Sequence, residues 1–108
     1  MAWSRTPYRL VQHELVDGTA TLAWAGELDL TAVPALAKHL EQALAGQPRR
    51  LVLDLTRVTF ADVAAARLLA GATRGQPAAG PPVLRRAGPE VRRILALTGL
   101  DSLCEFDD

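Results

Sequence analysis

The chain holds one cysteine, Cys104, and one lysine, Lys38, in 108 residues. A lone cysteine excludes an intrachain disulfide and a zinc site built on cysteine pairs. It fits a reducing compartment. No apolar run approaches the roughly 20 residues of a membrane helix. The N-terminal MAWSRTPYRLVQHE also lacks the apolar stretch of a signal peptide. These absences set the expectation of a cytoplasmic protein with no membrane insertion. Neither sign of charge is in excess, since 12 basic and 12 acidic residues cancel. A nucleic-acid binder normally shows a basic surplus or stripe. Here the arginines pair only as Arg49-Arg50, Arg85-Arg86 and Arg92-Arg93, beside predicted strands or on a helix. Solvated edges account for them, and no nucleic-acid partner is expected.

The usual catalytic signatures are missing too. The chain has no G-x-S-x-G, H-E-x-x-H, Walker A or G-x-G-x-x-G pattern. It lacks the acid pair and the late lysine of a phosphoacceptor receiver domain. His13 and His39 have no acidic or nucleophilic partner by spacing, and Cys104 reads as a small core residue. Glu27, Asp29, Asp54 and Asp62 lie in or near predicted strands, without a pattern for acid–base or metal chemistry. Asp29 can bond backbone N–H groups ahead of a helix, and Asp62 can cap one. No cofactor, no metal and no enzymatic activity are expected.

What is present is 49% hydrophobic residues in a domain-sized chain, enough for a core of its own. Residues 1–8 read as a lead-in and 9–108 as one domain. YRLVQHELV and TATLAWAG flank Asp17-Gly18, a hairpin signal. Ala20, Leu22 and Trp24 share one face of the second strand. Thr31 is the expected N-cap of a helix bearing Val33, Leu36, Leu40 and Leu44 at helical spacing, with Lys38 and His39 toward solvent or the flanks. Gly46 and Pro48 end it. LVLDL, 51–55, reads as a buried strand. A second helix should run from 63 to about 73, capped by Asp62. Val83-Leu84 offers a short strand. Gly88-Pro89 opens a third helix, with Val91, Ile94, Leu95 and Thr98 inward, and Gly99 closes it. A last strand falls within 103–106. The order ββαβαβαβ predicts an α/β fold: a mixed sheet with helices packed against it.

FADVAAARLL, 60–69, is the chemically sparse stretch. On a helical wheel Ala65, Ala66, Leu69, Ala72 and Thr73 share a face. Val63, Ala64, Arg67, Gly71 and Arg74 fall roughly opposite, and the two arginines mark that side as exposed. Small apolar residues at an exposed helix start allow another chain to approach closely.

Two blocks resemble the STAS domain, the fold of bacterial anti-sigma factor antagonists. AWAGELDLTAVPAL is similar to the family's G-E-L-D segment. LVLDLTRVTFADVAAARLL is similar to its strand, V-x-F-x-D-S-S-G and helix. ILALTGLDSLCEF resembles its third helix and last strand. The resemblance implies docking on an anti-sigma factor or serine-kinase-like regulator through Asp29, Leu30 and Thr31 and through Asp62, Val63, Ala64 and Arg67. In the family a serine after the motif aspartate is phosphorylated, which blocks docking. Val63 occupies that position, so the docking face carries over without the switch. The family's usual further helix after the last strand has no counterpart before Asp108. Two other readings follow from the same resemblance: a STAS subunit of a bacterial lipid ABC transporter complex, and a nucleotide-binding sensor.

Overall fold

A computed structural model describes residues 7–108. Residues 1–6, most of the expected lead-in, lie outside the described residues.

Two strands, β1 (Arg9–Val16) and β2 (Thr19–Leu28), form the antiparallel hairpin. Asp17 and Gly18 both take positive φ, as a two-residue turn of this hand requires. The chain then alternates: α1 (Val33–Ala45), β3 (Arg50–Ala61), α2 (Val63–Ala70), β4 (Val83–Arg85), α3 (Pro89–Leu97) and β5 (Glu105–Asp107). The strands lie in sequence order, and every pair after the hairpin is parallel. Crossovers of the usual right hand, all stepping the same way, place the three helices on one face. Contacts of α1 with α2 and of α2 with α3 agree. The mixed sheet predicted from sequence is the one observed.

The core lies between that helical layer and the sheet. Leu22, Trp24, Leu28, Leu51, Leu53, Leu55 and Leu84 from the strands meet Leu36, Leu69, Val91 and Leu95 from the helices, all essentially inaccessible. Ala20, Leu22 and Trp24 point into this core as their alternation predicts. Each side chain of this size contributes about 1.5–3 kcal/mol by leaving water.

Several boundaries differ from the sequence reading. Helix α1 starts at Val33, and its N-terminal residue Ala32 makes no side-chain cap bond. Thr31 is therefore not the cap. It sits in a 3-10 turn, Leu30–Ala32, that Asp29 caps. Strand β3 runs on to Ala61 rather than ending at 55, because residues 57–61 keep pairing with β2. Helix α2 stops at Ala70, with Gly71 as its C-cap. The last strand is shifted to 105–107 behind a 3-10 turn, Leu100–Leu103. Thr98 is exposed rather than inward, and its hydroxyl donates to the Ile94 carbonyl at 2.7 Å. Gly99 does close α3, in the left-handed region at φ 73°.

His39 also departs from expectation. It is half-buried, and Trp24 Nε1–H donates to its Nδ1 at 3.1 Å. Burial holds its pKa below the ordinary 6.5, helped by the nearby charges of His13 and Lys38. The histidine serves to satisfy a buried indole N–H, which costs free energy when left unpaired.

Candidate functional site

The predicted face comes from the ends of two neighbouring parallel strands. Leu28 closes β2 and pairs with Ala61, which closes β3. The next residue, Asp62, donates its backbone N–H to the Leu28 carbonyl at 3.1 Å. Beyond these ends the chain turns twice into helical structure. Each turn starts on an aspartate.

Asp29 Oδ1 accepts the Thr31 N–H at 3.0 Å and also the Thr31 hydroxyl. Asp62 Oδ1 accepts the Ala65 N–H at 2.9 Å. Both aspartates have extended backbone, as N-caps do. Their carboxylates are thus committed to orienting two chain turns. The 3-10 turn at Leu30–Ala32 contacts α2 directly. So Asp29, Leu30 and Thr31 are brought together with Asp62, Val63 and Ala64.

The glycine of the G-E-L-D block has a specific task. Gly26 takes φ 93°, where side-chain-bearing residues are strained, and the β2–β3 register slips between Gly26 and Glu27. That irregularity re-aims the last residues of β2 toward the turn.

Around the two caps the surface is apolar. Leu30 is 68% exposed, Phe60 44% and Val63 36%. Ala64 is half-buried and Arg67, one turn along α2, is exposed. Leu30 and Val63 stand on a turn and a helix that touch, and exposed apolar side chains so placed make this a candidate contact surface. A notch of about 220 Å³ between Phe60 and α3, bordered by Ile94, Leu97 and Arg93, continues the patch. Phe60 lies in the V-x-F-x-D block but outside the docking residues that the resemblance implies. The register slip opposite Glu27 leaves Thr59 as the extra residue of β3 just before Phe60. Thr59 and Phe60 are both exposed.

The remaining polar candidates do not join this face. Asp54 lies on β3 and accepts the Thr56 N–H at 3.0 Å together with the Thr56 hydroxyl. His13 is on the edge strand β1. Cys104 is half-buried, and burial raises its thiol pKa, which disfavours the reactive thiolate. Among the described residues no cluster of three or more histidine, cysteine or acidic side chains is placed to hold a metal ion. No helix there is long and apolar enough to cross a membrane.

The sequence profile of the family described as "Mlab, STAS domain" matches residues 11–105. The chain belongs to the STAS domain family. A curated relative from Mycobacterium tuberculosis, the anti-sigma-F factor antagonist RsfB, is 34% identical over 87 residues, 79% of this chain and 70% of the relative. The crystal structure of an anti-sigma factor antagonist from Mycobacterium paratuberculosis superposes with a TM-score of 0.82 at 28% identity. It spans 94% of this chain and 86% of that one. The Bacillus cell fate determinant SpoIIAA in its phosphorylated form shares the fold, with a TM-score of 0.66 at 23% identity over 94% of this chain and 92% of that one.

Proposed function

We propose that this STAS domain is a non-enzymatic regulatory protein that binds an anti-sigma factor. The docking face is formed by Asp29, Leu30 and Thr31 with Asp62, Val63, Ala64 and Arg67. The observation that carries this reading is the Asp62 to Leu28 hydrogen bond, which sets two capped turns side by side with Leu30 and Val63 open to solvent. The names of the curated and structural relatives support the same role. Recognition is apolar at the centre and charged at the rim, where Arg67 stands. The partner is an anti-sigma factor, in the form of a serine-kinase-like regulator.

Val63 has no hydroxyl and cannot accept a phosphoryl group. A phosphate there would add about two negative charges to an apolar contact. Without that switch, docking is governed by abundance or by a further ligand.

Affinity purification from the native host, followed by mass spectrometry, tests the reading. Wild-type bait should recover an anti-sigma factor, and a folded Val63→Glu bait should lose it. Recovery of a transporter ATPase would replace the proposal with the transporter-subunit reading. Equal recovery by both baits would place the docking face elsewhere.

A further inference from the structure

A concavity lies away from the two capped turns, around the C-terminal end of α2. It measures about 820 Å³. Its floor is Leu40 of α1, only 4% exposed. Its walls are Leu44 of α1, Leu68 of α2, Ala72 just past the end of that helix, and Leu100 and Leu103 in the turn before β5. Leu44, Leu68, Ala72 and Leu100 are half-buried, and Leu103 is 39% exposed. Three helical elements converge here without closing, because α2 has only eight residues and ends at Gly71.

The charges at the rim are unequal. Arg67 and Arg74 both border the groove, with Glu41 of α1 as the single carboxylate. Neither guanidinium has a hydrogen-bond or ion-pair partner among the described residues. Arg67 lies on α2, and Arg74 lies in the turn just beyond its end. The groove therefore joins an apolar trough to a rim of net positive charge. Concave, mostly apolar sites of roughly 300–1,000 Å³ with a few convergent polar groups are the usual form of small-ligand sites.

We infer that this groove binds a free single-chain amphiphile with an anionic head, such as a medium-chain fatty acid. The alkyl chain lies over Leu40 between Leu68 and Leu103, and the carboxylate meets Arg67 and Arg74. A cationic head would face two guanidinium groups and be rejected. The arginines' planar donor forks suit a carboxylate. This assignment does not depend on the docking face. The two surfaces meet only at Arg67, so occupancy of the groove would engage one residue of the proposed partner contact.

Isothermal titration with decanoate, kept as monomer, tests the inference, with decyltrimethylammonium as the matched cation. Decanoate should bind once per chain and saturably. Octanoate should bind more weakly, by up to roughly fourfold for each methylene lost. Arg74→Ala should weaken decanoate at least fivefold, and this variant leaves the docking residues intact. Ala72→Trp should fill the trough and abolish binding while its circular dichroism stays native. Absence of saturable binding overturns the inference. So does equal affinity for the cation, or decanoate binding unchanged in both variants.

Discussion

The backbone N–H of Asp62 donates to the carbonyl of Leu28 at 3.1 Å. This single bond extends the β2–β3 pairing past the last strand residues and fixes the start of α2 beside the turn at Asp29. Asp62 is thus held at its backbone by one strand while its side chain caps a helix at the Ala65 N–H. Asp62→Ala keeps the first bond and removes the second. It should cost about 1 kcal/mol, the usual value for a lost N-cap, with Asp62→Asn costing only a few tenths. Urea denaturation measures both. Equal midpoints for Asp62→Ala and wild type, at unchanged slope, would mean the cap bond adds nothing.

Val63 separates charge from shape at the docking face. Val63→Ser removes two methyl groups but brings no charge, and position 63 is 36% exposed, so the fold should tolerate it. Partner affinity should fall by less than about tenfold, since an interface position of this size is worth roughly 1 kcal/mol. Val63→Glu should reduce affinity at least a hundredfold, because a carboxylate would lose its water inside an apolar contact. Titration of both variants against the recovered anti-sigma factor checks this. Similar losses for serine and glutamate would show that shape, rather than charge, is what the position reads.

Gly26 gives a prediction about the backbone. At φ 93° a β-carbon is strained irrespective of the surrounding space. Gly26→Ala should destabilise the domain by roughly 1–2 kcal/mol. It should also weaken partner capture by more than the stability loss explains, because Leu28 and Asp29 follow directly on the register slip. Thermal melts and capture at a temperature where the variant is fully folded separate the two effects. Capture at wild-type strength would show that the slip does not aim the turn.

These features differ in how far the sequence exposes them. Asp29 and Asp62 were legible because a cap is a local event, decided within three residues. The strand order was legible because a hairpin followed by α/β alternation leaves few arrangements. The far half of β3 was not, since Thr56, Arg57 and Thr59 look like loop residues. Their strand character comes only from pairing with β2. The Thr31 cap failed because Thr31 is itself bound by Asp29, donating its N–H and its hydroxyl to that carboxylate inside a 3-10 turn. The groove above Leu40 could not be read at all. It exists only where two helix ends and a 3-10 turn meet without filling the space.

Trp24 and His39 are fifteen residues apart in sequence, and their rings stack with centroids 6.3 Å apart and planes 29° from parallel. The Trp24 N–H uses the Nδ1 lone pair of the neutral imidazole. Protonation at Nδ1 would leave two donors facing each other. Burial first, then the charges of His13 and Lys38, hold the folded-state pKa of His39 below 6.5. The sign follows from linkage: near pH 7.5 the histidine is neutral in both states and its full contribution to stability is present. As pH falls through 6.5 the unfolded chain takes up the proton first, so stability declines until native His39 is also protonated. Urea midpoints should therefore drop between pH 7.5 and 5.5. His39→Gln supplies an amide oxygen as acceptor but no titrating group, and its midpoints should vary less over the same interval. If the variant shows the same slope as wild type, the acid sensitivity of this fold arises elsewhere than at the Trp24–His39 bond.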